Sequence, residues 1–263
     1  MVALRDIPAV YHRRALVTPP DTSPGPARRE ESDRSPRFRL VTLSIDDVIP
    51  RVAEGVFFST PPRLPRGKHT LSRAEVAAAH RERLCIAVTE LLAAGGYRSV
   101  GVKEIAGRAQ VSLAAFYACF DSKDEAIFAA YDRFIAVLID RLTAVPGGED
   151  WDDYVERVMS AYLRTLASDV VAGRAFQVEM DALGRAGRAR RRDALHAIAD
   201  LLHEKHAAFD AQAAARLPGN AYVAAVYGVR QLACDELDRG PDGDVEGLVP
   251  QISQWVSLVF AAR

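Results

Sequence analysis

The chain has 263 residues, of which 49% are hydrophobic and 26% charged, and a formal net charge of −1. That is enough apolar material for one large domain or two modest ones, and a near-neutral balance excludes a uniformly basic coat. Residues 61–145 carry 12 basic against 9 acidic residues and 146–263 carry 13 against 18, so the middle is mildly basic and the end acidic.

Residues 1–65 hold most of the prolines and the run "TPPDTSPGPARREESDRSPR", a composition that buries too little to offset its ordering entropy. A largely disordered extension is expected there. Ile45, Val48, Ile49, Val52 and Val56 recur at helical spacing within it, which permits a short helix interrupted by Pro50. The opening "MVALRDIPAVYHRRALVTPPD" lacks the continuous apolar stretch of a secretory signal, and no later run approaches the ~18 residues of a membrane span. Cys85, Cys119 and Cys234 lie far apart in apolar runs with no C-x-x-C spacing, which predicts buried thiols rather than disulfides or zinc ligands. A cytoplasmic protein without a cofactor or resident metal is expected.

After Pro65 apolar residues recur every three or four positions between brief Gly, Pro or Asp clusters, the pattern of an all-α chain. The spacing predicts helices over 72–94, 102–108, 112–119, 122–143, 151–167, 170–184, 188–214, 219–238 and 245–261. In the first, Val76, Leu84, Ala87, Val88, Leu91 and Leu92 form one stripe, and Gly95 or Gly96 is available for a left-handed cap. Val102, Ile105 and Ala106 turn the short second helix inward, leaving Lys103, Glu104 and Arg108 outside. Ser112 is placed to cap the third by accepting an amide hydrogen bond.

Two short helices joined by such a turn form a helix-turn-helix. On the third helix Phe116 and Phe120, four apart, are the expected core anchors, while Leu113, Ala114, Tyr117 and Ala118 turn elsewhere. Ala and Leu can press on thymine methyls and the Tyr117 hydroxyl can reach a phosphate. Lys123 stands in the first turn of the fourth helix, where a cation opposes the helix dipole; a nearby phosphate would account for it.

The stretch "GYRSVGVKEIAGRAQVSLAAFYACFDSKDEAIFAAYD" resembles the N-terminal DNA-binding domain of the TetR (tetracycline-repressor-like) family over residues 66–133. It shares the Gly-Tyr turn, the Val-x-x-Ile-Ala second helix, the Val-Ser opening of the recognition helix, its Phe-Tyr-x-x-Phe close and the Lys-Asp start of helix four. The leader "LPRGKHTLSRAEVAAAHRERL" resembles a subgroup in which a basic arm precedes helix one. The chain departs from the family at Gln110, where Gly is usual, at Gly101, where a Thr or Ser cap is usual, and at Leu113, Ala115 and Ala118, which replace polar or basic residues. With no Arg or Lys on the recognition helix to read guanine, base reading is expected to lean on the arm residues Arg66, Lys68 and His69, flanked by Arg63 and Arg73.

The resemblance implies three parts: an extension, 1–65; a helix-turn-helix domain with its basic arm, 66–121; and a helical effector-binding and dimerisation domain, 122–263. The DNA contacts it implies are Arg66, Lys68, His69, Gly101, Lys103, Ser112, Leu113, Ala114, Ala115, Tyr117 and Lys123. It implies double-stranded DNA as a partner, a homodimer through the last two helices and an unidentified small-molecule effector. The stripes Tyr222, Val226, Val229, Leu232 and Leu248, Ile252, Trp255, Val259 would form the dimer face, or else the core of one subunit. Effector candidates are Tyr154, Tyr162, Phe176, Met180, His196 and His203, with Trp151 and Met159 beside them, although such residues at helical spacing are more often core.

His196, Asp200, His203 and His206 share a helical side that could hold a divalent ion, the ordinary alternative being a solvated face. Arg185, Arg188, Arg190, Arg191 and Arg192 are read as solvated or paired with acids such as Glu179, Asp181 and Asp193. The chain has no G-x-S-x-G, H-E-x-x-H, G-x-G-x-x-G or P-loop, so an enzyme is not expected. The leading expectation is a dimeric repressor that leaves a near-palindromic operator when a ligand binds. The alternative is a TetR-like protein that has lost specific DNA recognition and acts as a small-molecule-binding or scaffold module.

Overall fold

The structure, a computed structural model, describes residues 49–62 and 71–261. The arm residues Arg63, Arg66, Lys68 and His69 lie outside them, as do residues 1–48. Among the described residues the architecture is helical, with one isolated bridge, between Glu54 and Phe58, and no strand. In chain order the helices are α1 (Arg73–Ser99), α2 (Val102–Arg108), α3 (Leu113–Tyr117), α4 (Lys123–Thr143), α5 (Trp151–Ser168), α6 (Val170–Gly173), α7 (Gly184–Phe209), α8 (Ala211–Arg216), α9 (Gly219–Asp238) and α10 (Val249–Phe260). No helix among the described residues is long and apolar enough to cross a membrane.

Local chemistry sets the helix ends. Ser72 and Glu75 form a reciprocal capping box at the start of α1. Ser122 caps α4 and Asp150 caps α5 through side chains that accept the third amide of each helix. Gly96, at φ 69° and ψ 174°, breaks the helical run of α1 at the expected left-handed position. Two predicted helices are divided. The 170–184 stretch is α6 followed by a π-helical turn, Arg174–Val178, and a 3₁₀ turn, Glu179–Leu183. The 188–214 stretch breaks at Asp210, whose carboxylate accepts the amides of Gln212 and Ala213 and so starts α8 anew.

The expectation of a disordered 1–65 segment is corrected for residues 49–62, which form a strap laid on the bundle, with no helix in them. Phe57 and Phe58 are each 1% exposed. Gly55 (φ 76°) turns the strap tightly, with its amide donating to the Phe58 carbonyl at 2.8 Å. The strap is tied on by Val52 N to Glu90 Oε1 (3.2 Å), Ser59 N to Glu82 Oε1 (3.1 Å) and Arg133 Nε to the Phe57 carbonyl (2.7 Å).

The second half is a bundle in which α4, α5, α7, α9 and α10 surround a shared core. The predicted dimer stripes split between two environments. Tyr222, Val229 and Ile252 are buried within the subunit, whereas Leu232, Trp255, Leu258 and Val259 are exposed. Trp255 lies directly over Gly228, where a Cβ would crowd its ring, so α9 and α10 approach closely at that point.

Candidate nucleic-acid interface and effector cavity

The helix-turn-helix is assembled on α1. Phe116 is 0% and Phe120 2% exposed, their rings 6.0 Å apart, and they fix the orientation of a five-residue helix too short to be stable alone. Ser112 accepts the Ala115 amide at 3.1 Å, as its place before the helix requires. The opposite face is open: Leu113 is 42% and Tyr117 57% exposed, with Ala114 and Ala118 beside them, and Lys103 is exposed on α2. Gln110 adopts φ 56°, the one positive value at a non-glycine among the described residues, at a cost on the order of 1 kcal/mol.

Two predicted contacts are engaged inside the chain. The Lys123 ammonium donates to the carbonyls of Tyr97 (3.2 Å) and Val100 (2.8 Å) and sits 3.9 Å from the centre of the Tyr97 ring. Its place at a helix start is therefore explained by the carboxyl end of α1, whose carbonyls attract a cation, without invoking a phosphate. Tyr97 in turn donates its hydroxyl to Asp124 at 2.9 Å, and that bond raises the phenol's pKa. At the start of α2, the Glu104 carboxylate folds over Gly101. A phosphate approaching those amides has to displace it.

Sequence reasoning missed Arg81, which donates to the Cys119 carbonyl at 3.1 Å and stacks 4.4 Å from the Phe120 ring centre, tying α1 to the end of α3. It also missed the pair of Glu90 with Arg108, at 2.6 Å with both side chains less than 10% exposed. Arg108 had been placed outside. Cys85 and Cys234 are buried as expected and Cys119 half-buried; burial pushes the Cys85 thiol up to about 12, leaving it inert.

An apolar cavity runs between α4, α5, α7 and α9, lined among others by Leu138, Val158, Met159, Ile198, Leu202 and Val256. Of the predicted effector residues, Tyr154 and Tyr162 line it. Phe176, Met180, His196 and His203 do not: Phe176 packs on Phe134 at 5.2 Å, Met180 is fully buried, and His196 and His203 are exposed. The histidines do not share one side either, because His206 is buried with Nδ1 2.7 Å from the Tyr222 hydroxyl, and burial lowers its pKa. Arg190 pairs with Asp132 at 2.9 Å and Arg191 with Asp181. Between cavity and helix-turn-helix, Arg174 of the π turn donates to the carbonyls of Ala93 in α1 and Leu237 in α9, each at 3.3 Å.

Residues 87–130, which span the end of α1, the helix-turn-helix and the start of α4, match the family of bacterial regulatory proteins, tetR family. Residues 87–130 are thus a segment of the tetR-family DNA-binding type. The HTH-type nicotine-responsive transcriptional repressor HdnoR of Paenarthrobacter nicotinovorans is 32% identical over 90 residues, 34% of this chain and 46% of that protein, so the chain matches about half of that relative's length. The likeness in fold to solved regulators extends well beyond the matched segment. The fatty acid degradation regulator FadR of Bacillus halodurans superposes with a TM-score of 0.62 at 16% identity, covering 70% of this chain and 95% of that one. FadR of Bacillus subtilis, solved in complex with stearoyl-CoA, gives 0.57 at 16% identity over 68% and 97%. A transcriptional regulator of Rhodococcus sp. Rha1 gives 0.52 at 24% identity over 68% and 96%.

Proposed function

We propose that the chain is a dimeric, DNA-binding transcriptional repressor released from a near-palindromic operator by a small apolar effector. The observation that carries this reading is the uncovered face of α3, Leu113, Ala114, Tyr117 and Ala118, held outward by two buried phenylalanines. Leu113 and Ala114 would meet thymine methyls, Tyr117 and Lys103 phosphates, and the arm residues Arg66, Lys68 and His69 an adjacent minor groove. A ligand in the cavity would favour a dimer whose α3 helices no longer match major grooves ~34 Å apart. A coupling of ~1–3 kcal/mol would change operator affinity ~5- to 150-fold.

The test is a gel shift on the DNA upstream of the protein's own gene at several salt concentrations. The parent should bind with an affinity that falls steeply with salt. Leu113→Glu combined with Tyr117→Phe should weaken binding about tenfold or more, through one anion brought to the phosphates and one lost phosphate contact, with an unchanged melting temperature. No shift of the parent even at low salt would favour the alternative, a binding or scaffold module. Undiminished binding by the variant would remove α3 from the interface.

Leu232, Trp255, Leu258 and Val259 form the exposed apolar patch that would join two subunits. Leu258→Glu, at the most exposed of them (68%), should give monomers in sedimentation equilibrium while remaining folded. A dimer that persists unchanged would place the interface elsewhere.

A further inference from the structure

Arg230 on α9 lines the cavity and is 7% exposed. One N–H of its guanidinium goes to the Gln177 carbonyl of the π turn, a carbonyl that also receives the Cys234 thiol at 3.2 Å. Among the described residues no carboxylate pairs with it. The acids around that end of the bundle are committed elsewhere: Asp181 to Arg191, Asp132 to Arg190, Asp238 to Arg174 at 3.2 Å, and Asp235 to the Gln231 amide at 2.8 Å. A buried cation without a counter-charge is costly unless something supplies one.

The rest of the cavity says what kind of molecule would bring it. Tyr131 and Tyr162 stand beside Arg230, and burial raises both phenols far above their ordinary value while the nearby guanidinium pulls partly against it. They are therefore neutral hydroxyls able to donate to an anion. From Tyr131 the wall continues along α4 through Ile135 and Leu138 to Leu142, and along α7 from Leu195 to Lys205, about 15 Å at the 1.5 Å rise of a helix. Apart from Lys205, Thr143 and the Tyr154 hydroxyl, the lining between is apolar. The cavity volume is ≈ 70 Å³, which suits a narrow molecule of modest length.

We infer that the cavity takes a medium-length apolar carboxylate, its carboxylate on Arg230 between Tyr131 and Tyr162 and its tail along α4 and α7. The inference rests on the effector-binding reading above and deepens it. Binding is measured on the full chain without DNA, so that its outcome is independent of the gel shift.

The probes are octanoate, decanoate, 4-phenylbutanoate and 3-phenylpropanoate, each against its primary alcohol, followed by calorimetric titration and by thermal shift. The acids should bind and raise the melting temperature, each about 10- to 100-fold more tightly than its alcohol, the margin of a charge-assisted hydrogen bond. Arg230→Met should abolish that margin, and Arg230→Lys should keep part of it. The ligand-free Arg230→Met protein should melt at or above the parent, because an unpaired buried charge has been removed; a merely structural arginine would instead lower it. Three results overturn the inference: no binding by any of the four acids at millimolar concentration, alcohols binding as tightly as acids, or carboxylate affinity unchanged in Arg230→Met. Acid binding together with no DNA shift would leave the inference standing and sink the repressor reading.

Discussion

Phe57→Ala is expected to destabilise the protein by about 3–5 kcal/mol, the range for truncating a buried phenylalanine. The ring is 1% exposed and lies 4.6 Å from that of Phe134, itself fully buried in α4. Truncation therefore opens a void lined by rings that cannot close on it without moving α4. The backbone adds to the effect, since the Phe57 carbonyl accepts from Arg133, whose guanidinium also pairs with Glu82 of α1 at 2.6 Å. For a chain of this size the loss amounts to a melting temperature lower by roughly 6–20 °C. Urea unfolding of the variant should show a reduced midpoint, and a loss below about 1 kcal/mol would mean that the strap is dispensable.

Glu90→Ala should be as damaging, by about 3–5 kcal/mol, because it breaks a buried ion pair from one side only. Glu90 holds Arg108 of α2 with one oxygen and the Val52 amide of the strap with the other. It is thus the point at which α1, the helix-turn-helix and the strap meet. Replacing both Glu90 and Arg108 by leucine should be milder than Glu90→Ala alone, since the ion pair is then removed whole and replaced by apolar side chains. Denaturation of the two variants together with Arg108→Ala checks this, and additive losses would show that the pair is not coupled.

Much of the helical frame was legible because amphipathic periodicity and capping residues are local signals. Ser112 could be placed from what a helix start demands, the Gly95–Gly96 pair from what a left-handed turn demands, Gln110 from the glycine usual at its place in the resembled family, and Phe116 and Phe120 from their spacing of four. The strap was not legible. Two adjacent phenylalanines in a proline-containing stretch have no period, and what lies against them is Phe134 and Arg133 of α4, more than 70 positions away. Lys123 stood out as anomalous at a helix start, but the carbonyls it donates to, at the end of another helix, leave no mark in sequence. The break at Asp210 and the π turn fell inside continuous apolar patterns, which report a buried face and not the hydrogen-bond register. Of the predicted effector residues Tyr154, Met159 and Tyr162 reach the cavity and the others do not, because periodicity identifies an inward side but cannot separate a wall from a core.

Arg174 gives the two halves of the molecule a common strut. Its guanidinium holds the carbonyl end of one helix from each, Ala93 just before the left-handed break at Gly96 and Leu237 at the close of α9. Any occupant that pushes α9 outward must therefore drag the tail of α1 or break the hydrogen bond at one end of that strut. Either outcome would reach the segment from which α2 and α3 hang, without the occupant touching the helix-turn-helix.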